Sequence, residues 1–193
     1  MAYQMYTTRA LVCGSYHRNA ADVSYRLFTE QFGMLYAAAR SVREERSRQR
    51  YGLQDFGFVQ VSLVRGKAEW KIGSVVPLDN PFLRVADRAG RRTINSIIRL
   101  HNRYVQGEVE NEAIFSVMYE ALLAIAENRV QWLTYYELGI TFKILYLLGY
   151  VAPEGEQLEL LQSPISAMDY KWNEKLYKSV QGAVAKASDV SQL

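Results

Sequence analysis

Cysteine and histidine are almost absent from this chain of 193 residues, which holds one cysteine, Cys13, and two histidines, His17 and His101. A single thiol excludes an internal disulfide, and one thiol with two distant histidines is too small a set for a closed four-ligand zinc site. No basic segment followed by an apolar run opens the chain, and the most apolar stretch, residues 132–150, is interrupted by Glu137 and Lys143. A cytoplasmic location without a membrane span is therefore expected. Catalytic signatures are missing too. There is no Walker P-loop, no Gly-x-Gly-x-x-Gly turn, no His-Glu-x-x-His and no Gly-x-Ser-x-Gly elbow. A nuclease would need clustered carboxylates, which the basic half of the chain does not supply. The sequence reads as a non-enzyme with no cofactor and no metal. What is present, 49% hydrophobic and 22% charged residues, excludes disorder and fibrous repeats.

Charge is divided along the chain. Residues 1–105 carry 17 Lys/Arg against 8 Asp/Glu and residues 106–193 carry 6 against 12, so the net +3 is the difference between +9 and −6. A basic half suits a polyanion, either nucleic acid or an acidic peptide; solvated surface arginine is the alternative.

Hydrophobic periodicity divides the chain at nearly the same place. Residues 6–13, 22–29, 34–39 and 58–64 alternate as strands, and Ala68, Trp70 and Ile72 continue the alternation after a turn at Arg65-Gly66-Lys67. Five strands in so short a segment predict a small barrel. Beyond Pro77 and Pro81 the period becomes helical. A first helix places Leu83, Ala86, Ile94, Ile97, His101 and Val105 on one side with Gly90 between them; a second spans residues 111–127 behind Glu108, Glu110 and Glu112. A third, residues 130–148, is apolar nearly all round and is expected at the bundle centre, closing at Gly149. A last helix is predicted from Ser163-Pro164, with Met168, Trp172, Leu176 and Val180 on one face. The fold class is α+β, a barrel domain over residues 1–79 and an all-α helical domain over 80–193. His101 on the apolar face and Cys13 in a strand read as structural residues, not as catalytic base and reactive thiol.

Two arginine groups stand out. Arg40, Arg43, Arg46, Arg48 and Arg50 fall within eleven residues, offset only by Glu44 and Glu45. Tyr36, Tyr51, Phe56 and Phe58 interleave with them. Such aromatics serve either as barrel core or as stacking platforms for unpaired bases. Phe58 is the stacking candidate, since it points opposite Val59, Val61 and Leu63. The second group is helical: at 100° per residue Arg84, Arg88, Arg92, Arg99 and Arg103 share an arc of about 100° with Arg91 near its edge. It is either a binding stripe or a partner for the acidic second half. Arg99 and Arg103 are candidates for the rim of a slot, flanked by Ile98 and Tyr104, that takes a short acidic peptide ending in an apolar residue.

Several segments carry a family resemblance: Tyr6-Thr7-Thr8-Arg9-Ala10-Leu11-Val12, Ala21-Asp22, Arg26-Leu27-Phe28-Thr29, Gly33-Met34-Leu35 ahead of Ala39-Arg40, and Ser47-Arg48 followed by Gly52-Leu53-Gln54-x-Phe56. Together they resemble the N-terminal domain of the RecO recombination mediators, and Leu147-Leu148-Gly149-Tyr150 resembles that family's helical domain. The resemblance implies an oligonucleotide-binding (OB-fold) barrel followed by helices. It implies binding of single- and double-stranded DNA and annealing of complementary strands without nucleotide hydrolysis. It also implies partners: a RecR-like mediator protein, the C-terminal tail of single-strand-binding protein and, indirectly, the RecA recombinase. A nucleoid-associated bacterial location follows.

By motif match the DNA-contact role falls on Arg40, Arg43 and Arg48; Arg46 and Arg50 join them on charge alone. Arg84, Arg88 and Arg92 are added as a second DNA surface. The chain departs from the family in carrying Val151-Ala152-Pro153-Glu154 where many members have a cysteine-rich zinc site, so no zinc is inherited. A reading from another class stays open, an adaptor that docks acidic peptides without binding DNA.

Overall fold

The computed structural model describes residues 4–17, 22–40, 42, 49–67, 69–169 and 172–190. Five strands come first: β1 (Met5–His17), β2 (Val23–Thr29), β3 (Gly33–Ala39), β4 (Phe58–Arg65) and β5 (Trp70–Asp79), with the short helix α1 (Gln49–Gly52) between β3 and β4. They close into a barrel in the order β1-β2-β3-β5-β4. All pairings are antiparallel except β3 with β5, which is parallel and rests on Ala37 and Ala38 alone. This is the five-stranded OB-fold.

The alternation read from sequence fills the barrel: Val23, Tyr25 and Leu27 of β2, Leu35, Ala37 and Ala39 of β3, and Val59, Val61 and Leu63 of β4 share one buried cluster. β5 begins at Trp70 and runs on to Asp79 through Pro77, which marks no boundary. Proline is tolerated there because the β4–β5 register slips beside it, between Phe58 and Val59.

The barrel unit also takes in a later segment, Val105–Phe115. Gly33 opens β3 with φ 67°, and a β-carbon on it would lie 2.2 Å from the Val109 carbonyl oxygen, so only glycine lets the returning chain approach. The contacts thus divide at Pro81 and return to the barrel at Val105, a division that a single cut after residue 79 does not capture.

Seven helices are described in all, and six follow the barrel strands: α2 (Pro81–Arg84), α3 (Arg88–Tyr104), α4 (Glu112–Ala126), α5 (Leu133–Leu147), α6 (Glu156–Gln162) and α7 (Glu174–Val190). The first predicted helix is two. Asp87 restarts the helix as its N-cap, its Oδ1 accepting the Gly90 N–H at 2.7 Å. Leu83 is consequently 58% exposed and not part of the apolar face, whereas Ile94, Ile97 and His101 are buried as expected. α4 starts one residue late because Asn111 is its cap, accepting the Ile114 N–H at 3.0 Å.

α5 is buried on several sides, through Tyr136, Ile140, Phe142 and Ile144, and packs on α3, α6 and α7. It starts at Leu133, not residue 130, because the buried Asp169 carboxylate accepts the Gln131 and Trp132 N–H groups at 2.6 and 3.0 Å. It stops at Gly149, whose φ of 77° lets its N–H reach Tyr146 O and that of Tyr150 reach Leu145 O, both at 2.9 Å.

The last helix is corrected. Ser163 ends α6 in place of opening a helix, and α7 begins at Glu174 under the Asn173 cap. Met168 and Trp172 lie in the connection, joined by a 2.6 Å bond from the indole N–H to the Met168 carbonyl. Among the described residues no helix is long and apolar enough to cross a membrane.

Candidate nucleic-acid interface

Alternation also decides what the barrel shows outward. With Tyr25 and Leu27 inside, Ser24, Arg26 and Phe28 of β2 point out, beside Ala38, Tyr36 and Met34 of β3. On the other side Tyr16 of β1 pairs with Ser24, and Gly14 with Arg26. One end of this face is closed: Phe28 and Phe58 lie 5.8 and 6.1 Å from the Phe115 ring. The other end is open. Tyr16 and Tyr36, 55% and 51% exposed, stand with ring centroids 6.1 Å apart, and the Arg26 guanidinium is 6.0 Å from the Tyr36 centroid. Arg26 is steadied by donating from Nη2 to the Val105 carbonyl at 3.5 Å. Two exposed rings with a cation beside one of them can hold successive bases by their faces and a phosphate by charge, and this is the face on which OB-folds bind oligonucleotides.

Arg40 is exposed at the end of β3, and Arg50 and Tyr51 are exposed on α1, Tyr51 at 70%. α1 is pinned to β5 by the Gln49 amide donating to the Gly73 carbonyl at 3.0 Å. Arg43, Arg46 and Arg48 lie outside the described residues. Phe58 points out of the barrel as its phase requires, but Phe115 covers it and leaves 1% exposed, so it offers no face to a base. Phe56 is half-buried, and its N–H donates to the Val12 carbonyl at 2.8 Å.

The helical stripe is altered by the break at residues 85–87. Arg84 belongs to α2 and pairs with Glu127 at 3.7 Å, so it leaves the stripe. Arg91 is also structural, donating from Nε to the Val85 carbonyl at 2.8 Å and lying 5.8 Å from the Phe82 centroid. Arg88, Arg92, Arg99 and Arg103 remain exposed on α3, within an arc of about 60°. Among the described residues Arg88, Arg92 and Arg99 form no ion pair with the acidic half.

Arg92, Arg99 and Arg103 line a groove of about 410 Å³ with Leu100, Tyr104 and Ser188. Ile98, 1% exposed, is core and not part of that slot, where Leu100 stands instead.

Cys13 is 6% exposed, its thiol directed at the Leu11 carbonyl at 3.6 Å, and burial pushes its pKa up to about 12. The thiolate is the reactive form. The native protein is therefore expected not to react with an aromatic disulfide reagent at pH 8 and to react fully once unfolded; rapid native labelling would show that β1 opens. Among the described residues no group of three His, Cys, Asp or Glu could hold a metal ion.

Residues 1–75 match the family model described as Recombination protein O N terminal. Over these first residues the chain is similar to the N-terminal domain of the RecO family. Two proteins called DNA repair protein RecO, from Desulfitobacterium hafniense strains DSM 10664 / DCB-2 and Y51, are each 33% identical over 76 residues, covering 39% of this chain and 28% of the relative. The match thus spans less than a third of those relatives' length and coincides with the RecO-type barrel. The helical domain lies outside it. There Leu147-Leu148-Gly149-Tyr150 is the left-handed cap of α5, so its glycine has a local structural cause. Sequence reasoning missed Tyr16 and Arg26 as site residues and left Tyr36 open to the core. The phase of β2 and β3 carried the signal, since the residues between buried Tyr25, Leu27, Leu35 and Ala37 must point out.

Proposed function

We propose that this chain is a non-catalytic DNA-repair and recombination mediator that binds single- and double-stranded DNA and anneals complementary strands. The observation that carries the reading is the Tyr16–Tyr36–Arg26 patch on the open end of a RecO-type barrel face. Unpaired bases stack on the two rings, each such contact worth about 1–3 kcal/mol, while Arg26, Arg40 and Arg50, with Arg43, Arg46 and Arg48, hold phosphates. Duplex DNA, whose bases are already stacked, uses the arginines only. The Arg88, Arg92, Arg99 and Arg103 stripe gives the same chain a second polyanion site, which raises the local concentration of one strand near another and needs no nucleotide hydrolysis. No cofactor enters this scheme, and a cytoplasmic, nucleoid-associated location suits it.

Salt tests the electrostatic part. Each neutralised phosphate on a single strand releases about 0.7 counterion, so replacing Arg40, Arg43 and Arg48 together by alanine is expected to lower the log-log salt slope by roughly two. Fluorescence anisotropy with a labelled single strand at several salt concentrations measures it. An unchanged slope would move the phosphate contacts elsewhere.

The partners proposed are a RecR-like mediator protein, the acidic tail of single-strand-binding protein and, through them, RecA. The groove on α3 supports the tail, because an acidic peptide ending in an apolar residue needs Leu100 and Tyr104 beneath it and Arg92, Arg99 and Arg103 around it. Changing Arg99 and Arg103 to glutamate is expected to weaken a tail peptide more than tenfold in calorimetric titration, about 1.4 kcal/mol, without moving the thermal melt. Full affinity in the folded double variant would sink the assignment. The same groove favours the second reading, an adaptor for acidic peptides alone; it prevails if peptide binds and DNA does not.

A further inference from the structure

Because β3 pairs with β5 only at Ala37 and Ala38, its first residues meet the returning chain instead, Met34 N–H donating to the Gly107 carbonyl at 3.0 Å. Beside this contact lies a cavity of about 420 Å³ that the stacking patch does not explain. Its walls include Ser24, Met34, Tyr36, Trp70, Glu69 and Glu108. Tyr36 belongs to both the cavity and the patch, so a strand lying on the patch passes the cavity mouth.

We propose that this cavity is a base-edge subsite that prefers guanine; the inference rests on the DNA-binding reading above. Two carboxylates and two hydroxyls, those of Ser24 and Tyr36, are among its described lining residues, none of which is a lysine or arginine; the Arg65 guanidinium reaches it only as the partner of Glu108. Carboxylates accept hydrogen bonds and repel phosphate, so the cavity rejects the backbone and selects whatever base edge presents the most N–H donors. Guanine presents N1–H and the N2 amino group side by side, matched to the two oxygens of one carboxylate. Adenine and cytosine present one amino group each, and thymine a single N–H between two carbonyls that a carboxylate repels. Arg65 holds Glu108 in place by an ion pair of 3.8 Å while lying 5.2 Å from the Trp70 centroid. The barrel is thereby given a composition preference that charge alone does not confer.

The test compares a dT oligomer with one of equal length in which every fourth base is dG, and a third with inosine in place of dG, all in lithium buffer. The dG oligomer is expected to bind about tenfold tighter than dT, and inosine, lacking the N2 amino group, in between. Glu108→Gln is expected to bring the ratio close to one and to raise dT affinity slightly, since a repulsive charge is gone. Its thermal melt is expected to change little, as the Glu108–Arg65 pair is exposed. Should that variant not fold, Glu69→Gln makes the same test. Equal binding of dT and dG oligomers by the unaltered protein overturns the subsite and leaves single-strand binding standing. A full dG preference in both folded variants overturns the carboxylate assignment. No binding of any oligomer overturns this inference and the DNA-binding reading together.

Discussion

Replacing Tyr16 and Tyr36 together by alanine is expected to weaken single-strand binding by about 30-fold or more, the product of two stacking contacts at the low end of their range. The rings stand half-exposed on β1 and β3, so their loss opens no core cavity, and the melting temperature is expected to stay within a few degrees. Duplex affinity is the internal control. Paired bases have no free face for a tyrosine, and binding through arginine and phosphate is expected to change less than threefold. The salt slope is likewise expected to hold, because no charge is removed. Equal losses for single-stranded and duplex DNA would mean that the patch supports the protein's shape and not a base. Tyrosine to phenylalanine at both positions sharpens the result: the ring faces remain, so single-strand affinity is expected to remain with them.

The division between what was legible in the sequence and what was not follows physical range. Barrel strands were legible because a period of two, fixed by the backbone, writes itself directly into Val23, Tyr25, Leu27 and into Val59, Val61, Leu63. The same rule puts Tyr36 and Arg26 outside, although the sequence reading left Tyr36 open to the core and passed over Arg26, and whether an outward residue meets solvent is decided elsewhere in the chain. Phe58 and Tyr36 both point outward; Phe115, more than fifty residues beyond Phe58, covers one, and among the described residues nothing comparable covers the other.

Helix ends show the same limit. The break before α3 rests on Asp87, a local cap that a reader can see once looking for one, whereas the start of α5 is set by Asp169, far along the chain. The arginine stripe lost Arg84 and Arg91 for local reasons, a helix break and a carbonyl within reach. It kept Arg88, Arg92, Arg99 and Arg103 because a strict angular pattern survives a shift of one helix boundary.

Phe58 allows the covered and uncovered outward positions to be told apart by experiment. Its ring is 1% exposed and sits edge-on to Phe115, with Phe28 on the other contact of that ring. Truncation to alanine removes most of a buried aromatic and leaves a cavity, a change that costs about 3–5 kcal/mol. For a chain of this size each kcal/mol moves the midpoint by roughly 2–4 °C, so the melt is expected to fall by about 6–20 °C. Weak DNA binding by such a variant would not distinguish lost contacts from lost structure, and leucine settles the matter. Phe58→Leu keeps an apolar side chain of similar bulk and is expected to cost about 1.5 kcal/mol or less. It removes the ring, the one feature of that side chain on which a base could stack. If Phe58 is core, the folded leucine variant binds a single strand as tightly as the unaltered protein. If it instead loses affinity on the scale of the tyrosine pair while melting normally, Phe115 must move aside when DNA binds, and the closed end of the face would join the site.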